Sequence, residues 1–574
     1  MCRLTVPLIF LFVVTLLAAP TQTQTPADMI LINGKVITVD SRDSIAQAVA
    51  IAGGKILAVG ANAEIQGRTG PNTRVIDLRG RTATPGLIDS HVHFQQVDAM
   101  YTVDLSDLSI KKMDDALARV KSKVDLLKAG EWIRGRGWDE GKLLEKRAIL
   151  ASDLDRVAPA NPVYLTHASG HFAVANSLAL RLAKITKDTK DPPAGTIDRD
   201  VQGNPTGLLK ETAKDLVLPL IPPFTREQER NGLLRMVEDF NKEGMTGAKD
   251  PGIDQSKWDL YRELLGANKL NVHLFALWSG GTTLESAKQA LARIQAQPKM
   301  QGTPDEKLVS GGVKIYMDGA VTAHTAWVYQ DWYNNTDSID KGNTGYPSTQ
   351  PAIYKQMVEL LHNAGVHVST HAIGDRAIDW VVDTYESVLK AKPVRGLRHG
   401  IIHASMPTDR AIDVMSRLQK TYDAGYPESN APFLWWLGDN LIRSLGPDRA
   451  GRMKPFGTYL EKGIVWSGGS DYAVTPFPSR YGIWASIARN TLSGATPFGT
   501  KQSVDVRAAL RSYTIWGAHQ MFMEKRTGSI EAGKDADIAV WDRDLYTIPT
   551  DELKDVKCEL TVFQGRIVHQ ATLR

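Results

Sequence analysis

The stretch Pro85-Gly86-Leu87-Ile88-Asp89-Ser90-His91-Val92-His93-Phe94 decides the fold. An apolar run leads into two histidines that are separated by one residue. Side chains two residues apart on a β-strand point to the same face. If Leu87 to His93 is a strand, the two imidazoles project into one space, and imidazole is a common ligand of transition metals. Two buried histidines bonded to the backbone would give the same pattern, so a metal site requires further ligands elsewhere in the chain.

Composition restricts the class of protein. The chain has 574 residues, of which 43% are hydrophobic, enough for one large α/β barrel with additions or for two to four domains. The net charge is +4, and no basic block interleaved with aromatic residues occurs, which argues against a nucleic-acid partner. Only Cys2 and Cys558 are present, so a metal would have to use histidine and carboxylate ligands rather than a cysteine set.

The first 25 residues have the pattern of a secretory signal peptide. Arg3 precedes the apolar run Leu4 to Ala19, which stops at Pro20. The run is shorter than the roughly 20 residues of a transmembrane helix. We therefore expect an exported protein, periplasmic or secreted, with no stable membrane insertion after cleavage. An uncleaved anchor is the alternative.

Both ends of the mature chain are rich in short strands. The sequence predicts two hairpins, Met29–Ile32 with Lys35–Val39 across Asn33-Gly34, and Ala48–Ala52 with Lys55–Val59 across Gly53-Gly54. The C-terminal end supplies Ile538–Trp541 and a strand pair within residues 560–568. We predict a small β-sandwich domain built from residues 26–83 and 522–574.

Between these ends, strands alternate with helices. Adding the opening strand to seven later ones gives the count of a (β/α)₈ TIM-like barrel, an α/β fold, over residues 84–521. The seven later strands are Met245–Lys249, Val272–Leu277, Val313–Met317, Val366–Thr370, Gly400–His403, Lys420–Ala424 and Ile464–Ser467. We place Val163–Thr166 instead in an inserted subdomain, at about residues 95–240, that is a candidate lid.

Active sites of such barrels lie at the carboxyl ends of the strands. Those ends carry the candidate metal ligands His91, His93, Lys314, His371, His403 and Asp471. Each has a structural alternative: either histidine of the later strands could be a satisfied core residue, and Asp471 could cap a turn. Asp89 is expected to support the site by bonding at the strand end.

The order His-x-His, Lys, His, His, Asp resembles the metal-dependent amidohydrolase superfamily. The details resemble its amidohydrolase-3 branch and are similar to the N-substituted formamide deformylases. The matching stretches run in order over nearly the whole mature chain: residues 84–94, 171–180, 313–319, 371–376, 399–403, 469–471 and 528–537. Many members of this branch carry an acidic residue where this chain has Ile402, and often a Ser-Arg pair where it has Ala323-His324.

The resemblance implies a two-metal site. His91, His93 and Asp471 would hold one ion, His371 and His403 the other, and Lys314 would bridge them as a carbamate formed from CO₂. Zinc is expected, although other divalent transition metals would fit. A Lys314 that stays an ammonium paired with Asp471 or Asp318 would leave a one-metal site.

The implied activity is hydrolysis of a non-peptide C–N bond in a small molecule, such as an amide, an N-acyl or N-formyl compound or a cyclic amide. A metal-bridged hydroxide would attack, and Asp471 would shuttle the proton. Candidate substrate contacts are His171, Trp138 and Asp318. Cleavage of an ester, lactone or organophosphate on the same site is the alternative, and a metal-free binding scaffold is the alternative from another class; a homodimer is left open.

Overall fold

A computed structural model describes residues 25–107, 109–168, 170, 172–192, 195–297, 307–322, 324–333, 342–494 and 497–571. Residues 1–24 of the predicted export signal and the candidate contact His171 lie outside these ranges. Within the described ranges, no helix is both long enough and apolar enough to cross a bilayer.

The strands of the described chain belong to four sheets. In chain order they are β1 Met29–Ile32, β2 Lys35–Ile37, β3 Ile45–Ala46, β4 Ala48–Ala52, β5 Lys55–Gly60, β6 Arg74–Asp77, β7 Thr82–Pro85, β8 Leu87–Asp89, β9 Val103–Asp104, β10 Ile133–Trp138, β11 Val163–His167, β12 Phe172–Ala175, β13 Gly195–Arg199, β14 Pro205–Glu211, β15 Met245–Ile253, β16 His273–Ser279, β17 Leu308–Tyr316, β18 Val368–Ala372, β19 Gly400–His403, β20 Tyr426–Ser429, β21 Ser467–Gly468, β22 Ile538–Trp541, β23 Cys558–Phe563 and β24 Arg566–Gln570.

The helices lie mainly between the strands of one of these sheets. They are α1 Asn62–Gln66, α2 Val97–Tyr101, α3 Met113–Val124, α4 Ala151–Asp155, α5 Ser177–Leu182, α6 Arg226–Lys242, α7 Gln255–Gly266, α8 Leu284–Gln295, α9 Pro351–Asn363, α10 Asp375–Ala391, α11 Asp409–Tyr422, α12 Pro432–Trp436, α13 Gly438–Gly451, α14 Phe456–Lys462, α15 Ser479–Ala488, α16 Val506–Ser512 and α17 Ile515–Gln520.

Eight parallel strands form a nearly closed barrel in the order β8-β15-β16-β17-β18-β19-β20-β21. Their residues are almost entirely buried, because helices cover the outside and side chains fill the inside. The first and last strands approach each other where Ser90 N donates to Gly468 O at 2.9 Å. The predicted α/β barrel is confirmed.

Three strand predictions need correction: the eighth strand is Ser467–Gly468, which shares only Ser467 with the predicted Ile464–Ser467. The opening strand ends at Asp89, so His91 and His93 follow it rather than lie on it. The seventh strand is Tyr426–Ser429, not Lys420–Ala424. The amphipathic pattern of α11 continues to Tyr422, and Asp423 then ends the helix in the left-handed region with φ 53°. The strand can begin only after this turn.

The inserted segment forms a separate mixed sheet in the order β13-β14-β12-β11-β10-β9. It has a core of its own, to which Ile133, Trp138 and Leu165 belong. Val163–Thr166 lies in this sheet, as predicted, and not in the barrel.

Strands from both chain ends share one sheet, β24-β23-β22-β7-β2-β3. A second sheet, β5-β4-β1-β6, packs its buried residues into the same cluster, in which Val49, Ile76 and Val540 meet. The hairpin predicted at Gly53-Gly54 forms between β4 and β5. The hairpin predicted at Asn33-Gly34 is wrong. β1 and β2 belong to different sheets, and the turn connects the two sheets.

Candidate metal centre

Three predicted ligands converge where the barrel closes. Asp471 Oδ1 lies 3.2 Å from His91 Nε2 and 3.4 Å from His93 Nε2. One donor atom from each residue falls within 4.8 Å of the others. His91 is buried, whereas the His93 side chain is 46% exposed. Two imidazoles and one carboxylate therefore face a common point.

Asp89 holds this arrangement together. Its Oδ1 accepts hydrogen bonds from the backbone N–H of His91 at 3.0 Å and of Ser470 at 3.1 Å. Burial raises the pKa of Asp89 to about 7, and these hydrogen bonds oppose the rise. The predicted bonding of Asp89 at the strand end is confirmed, since Asp89 joins the segment after β8 to the segment after β21.

His371 and His403 form a second pair. His403 Nε2 lies 3.0 Å from His371 Nδ1. The other nitrogen of each ring faces an acceptor: His371 Nε2 lies 3.0 Å from Gly319 O, and His403 Nδ1 lies 2.7 Å from Asn430 Oδ1. From these acceptors we infer tautomers in which both outer nitrogens donate. Two lone pairs then point at each other, an arrangement that a cation between them would stabilise.

The protonation states of these side chains at neutral pH favour metal binding. Burial lowers the pKa of His91 to about 3 and of His371 to about 4, so both rings are neutral. Burial also lowers the pKa of His403 well below its usual value. Burial alone would raise the pKa of Asp471, but hydrogen bonds and charge interactions with His91, His93 and His403 hold it well below its usual value. Neutral imidazoles and an ionised carboxylate are the forms that bind divalent transition metals.

Lys314 lies in β17, beside these groups. It is buried, and burial lowers the pKa of its amine to about 8. Its charge is near enough to lower the pKa of His91 and His371. The recorded ion pairs of Asp471 and Asp318 are with histidines rather than with Lys314. Among the described residues no ion pair joins Lys314 to Asp471 or Asp318, but the Asp471 charge opposes the fall of the Lys314 pKa, so the ammonium form stays an alternative.

A cavity of about 790 Å³ opens over the second histidine pair. His371, His403 and Asp471 lie in its wall. The apolar part of the wall consists of Ala168, Phe172, Ala320, Val321, Ile373, Phe433, Leu437, Leu441, Met453 and Val474. The charged part adds Asp139, Glu140, Lys146 and Arg443. A small molecule with both apolar and polar groups fits such a wall.

A family model described as amidohydrolase family matches residues 74–569. The chain belongs to this family. It is 30% identical to the N-substituted formamide deformylase of Arthrobacter pascens, over 95% of this chain and 99% of that protein. It is 29% identical to the protein LONG AFTER FAR-RED 3 of Arabidopsis thaliana, over 93% of this chain and 90% of that one.

A solved structure supports the fold. The chain is similar to an uncharacterized metal-dependent hydrolase from Pyrococcus horikoshii OT3, with a TM-score of 0.71 and 22% identity over 91% of this chain and 99% of that one. Family membership makes this amidohydrolase a metal-dependent enzyme that hydrolyses carbon–nitrogen bonds other than peptide bonds in small molecules.

The predicted substrate contacts occupy supporting positions in this amidohydrolase. Trp138 is buried in the insertion, and its Nε1 donates to Leu165 O at 3.1 Å. Asp318 is also buried; its carboxylate accepts backbone N–H groups of Trp327, Ile373 and Gly374 at 2.8–3.0 Å. The geometry therefore favours packing for Trp138 and loop anchoring for Asp318 over contact with substrate. His171 lies outside the described residues.

Several residues of the site were not found from the sequence. His167 and Glu140 face the cavity from the insertion, with His167 Nε2 3.1 Å from Glu140 Oε2. Lys454 is fully buried, and its Nζ donates to His403 O at 2.8 Å. Burial lowers the pKa of this amine to about 7. His167 follows an apolar run within the sequence, a signal that could have pointed to it, whereas Lys454 stands in a loop without any motif.

Proposed function

We propose that this amidohydrolase is exported and cleaves an amide, N-acyl, N-formyl or cyclic amide bond at a two-zinc site. One observation carries the proposal: the cluster of His91, His93 and Asp471 lies next to the His371–His403 pair, with the His91 and His403 rings 5.1 Å apart, beside a cavity of about 790 Å³. His91, His93 and Asp471 would hold one ion, and His371 and His403 the other. Zinc is the default ion for such a ligand set.

Lys314 would join the two ions as a carbamate. Its buried amine has a pKa of about 8, so about one tenth of it is neutral near pH 7, far more than for an exposed lysine. The neutral amine attacks the carbon of CO₂, an N–C bond forms, and one proton is released. The resulting anion would offer two oxygens to divalent ions held by the neighbouring histidines and Asp471.

The reaction depends on how the side chains of the site transfer one proton. Divalent ions, when bound, acidify water and polarise a carbonyl. Asp471 Oδ1, held by His91 and His93, would take the proton released as water attacks the scissile carbonyl, and would pass it to the departing amine. His371 and His403 stay neutral because they are buried. The apolar part of the cavity would exclude competing water.

We expect the domains of the chain to be arranged around this site. We propose a β-sandwich domain from residues 26–83 and 522–574, a barrel from residues 84–521, and an insertion that selects substrate. The insertion contributes Asp139, Glu140, His167 and Phe172 to the cavity wall. Arg443 lies in the same wall, near enough for its charge to lower the pKa of Glu140, and we expect its guanidinium to favour substrates with a carboxylate.

The test is a turnover screen on protein loaded with zinc and bicarbonate. The panel pairs neutral with carboxylate-bearing formamides and N-acyl compounds, and adds cyclic amides, esters, lactones and phosphotriesters. We expect amide turnover, about two zinc ions per chain, loss of activity on chelation and recovery with zinc. A chain that binds no metal and turns over nothing would contradict the proposal. Esters, lactones or phosphotriesters cleaved faster than every amide would favour the alternative activity.

A further inference from the structure

Tyr472, which follows Asp471, binds two other parts of the molecule through its hydroxyl. The hydroxyl donates to Gln96 Oε1 at 2.6 Å and accepts from Arg136 Nη2 at 3.2 Å. Gln96 lies three residues beyond His93, and Arg136 lies on β10 of the insertion. One hydroxyl thus joins the segment after the last barrel strand, the segment after the first, and the insertion.

The backbone at the same place is bonded just as closely. Asp471 N donates to His91 O at 2.7 Å, and His93 N donates to Tyr472 O at 3.0 Å. The backbone of Asp471 and Tyr472 therefore lies against the segment that carries two of the proposed ligands. A shift of the Tyr472 side chain would move the Asp471 carboxylate relative to both histidines.

Both partners of the hydroxyl are anchored in turn. Gln96 Nε2 donates to Asp239 Oδ2 on α6 at 3.3 Å. Arg136 lies 3.8 Å from Asp104 on β9, and its guanidinium stands 5.5 Å from the centre of the Tyr472 ring. The contact between Arg136 and Tyr472 is a direct polar link from the insertion to the residue beside Asp471.

We propose that Tyr472 is a positioning residue that sets the Asp471 carboxylate against His91 and His93, and that Arg136 makes the insertion part of this setting. The inference rests on the proposed role of Asp471. If a substrate displaces the insertion, the hydrogen bond between Arg136 and Tyr472 passes the displacement on to Asp471. The geometry of proton transfer by Asp471 then changes. Tyr472 itself does not touch the reacting atoms.

The first test is Tyr472→Phe. The ring, which packs edge-on against Phe477 at 5.4 Å, is retained, and only the hydroxyl is lost. We expect kcat to fall about tenfold or more, because small misplacements of a catalytic group are costly, while KM and zinc content stay within twofold. An unchanged kcat, or a rise in KM that accounts for the whole loss, would overturn the proposal.

Tyr481 offers a matched control, because it lines with Tyr472 a second cavity, distinct from the one over His371 and His403. Arg480 Nη2 donates to the Tyr481 hydroxyl at 3.2 Å, the same contact at a place away from Asp471. Tyr481→Phe should leave kcat within twofold. Arg136→Met should reproduce the Tyr472→Phe loss, and the double variant should be no worse than either single one, because both remove one interaction. Additive losses would show that Arg136 and Tyr472 act separately.

A readout without activity separates this inference from the proposed function. Hydrogen–deuterium exchange of the metal-free protein reports the backbone N–H groups of His93 and Asp471, which are bonded across the two segments. Tyr472→Phe and Arg136→Met should speed exchange there, and Tyr481→Phe should not. If the wild type cleaves no amide but exchange rises as expected, the proposed function fails and the positioning role stands. If exchange is unchanged in both variants, the positioning role fails whatever the activity.

Discussion

Two acceptors decide which nitrogen atoms His371 and His403 present to each other. Gly319 O and Asn430 Oδ1 bind the outer nitrogens, so the inner ones keep their lone pairs. The backbone at His403 is also unusual, with φ 69°, as is that of Asp471, with φ 56°. Non-glycine residues in this region are uncommon and concentrate at functional sites. His403 thus combines both features, and Asp471 shares the unusual backbone.

Among the single residues of the site, Asp471 gives the most direct prediction. Asp471→Asn keeps the size of the side chain and an oxygen for a metal, but its amide cannot accept and return a proton. We expect zinc content to be retained and kcat to fall by about 10²–10⁴-fold, the usual contribution of general acid–base catalysis. Elemental analysis and steady-state kinetics on the best amide from the screen measure both. Full activity in the variant would remove the proposed proton-shuttle role.

The sequence identifies residues at the ends of strands but does not identify the residues that hold those residues in position. His91, Lys314, His371 and His403 follow or end apolar runs, so their common location at one end of a barrel could be predicted. Asn430, Tyr472 and Lys454 act through contacts between segments distant in sequence, and no local spacing encodes such contacts. The predicted substrate contacts Trp138 and Asp318 lie beside the site. A sequence motif around a residue does not distinguish a residue that lines a cavity from one that is buried behind the lining.

At the scale of elements, the end of α11 explains both a wrong prediction and a source of stability. Asp423 ends the helix with φ 53°, and β20 starts three residues later. Its Oδ1 accepts from the Tyr426 hydroxyl at 2.5 Å and lies 3.0 Å from His519 Nε2 on α17, and its Oδ2 accepts from Arg398 Nε at 3.2 Å. The sequence predicts a strand over residues 420–424, but these bonds to Tyr426, Arg398 and His519 stabilise a helix end there instead.

Asp423 gives the molecule a predictable acid sensitivity. Burial alone would raise its pKa, but hydrogen bonds from His519 and Tyr426 and the Arg398 charge hold the pKa well below its usual value. A lowered pKa stabilises the fold above the unfolded value of about 3.9, and this stability disappears as pH falls below it. Asp423→Asn should therefore lower the unfolding free energy by about 1–3 kcal/mol at pH 7, and the difference from wild type should shrink towards pH 3.

Urea unfolding between pH 7 and pH 3 measures this difference. Asp413→Asn is the control: Asp413 lies on the same helix and pairs with Lys462 at 2.8 Å, but the pair is exposed and should contribute little. A difference between Asp423→Asn and wild type that persists unchanged at pH 3, or that is absent at pH 7, would contradict the linkage.

For the whole molecule, the two chain ends are part of the support of the metal centre. β22 pairs with β7 over residues 82–85. Gly86 N then donates to Asp537 O at 2.9 Å, and the chain continues into β8 and on to His91. The prediction that both ends contribute to one β-structure followed from short strands bounded by turn residues. Which strands pair could not be predicted, because Asn33-Gly34 looks the same in a hairpin and in a crossing between sheets.

Trp541 tests whether the barrel and the terminal strands are one cooperative unit. It lies on β22, is 1% exposed, belongs to the main barrel core, and its Nε1 donates to Thr84 Oγ1 at 2.9 Å. Trp541→Ala should cost about 3–5 kcal/mol of unfolding free energy, because it removes a large buried side chain from a close-packed region. Trp380, 39% exposed on α10, is the matched control, and its replacement by alanine should cost little.

The decisive measurement is whether zinc release and the loss of far-UV circular dichroism occur at the same urea concentration. If the terminal strands hold β8 in place, Trp541→Ala lowers the midpoint of both signals together, because the segment that carries His91 and His93 loses its support when β7 and β22 separate. If instead the variant releases its terminal strands in a separate, earlier transition while zinc stays bound, the barrel holds its metal centre without them. The ends of the chain would then be an attached domain, and the hydrogen bond from Gly86 to Asp537 would not be needed to keep the ligands in position.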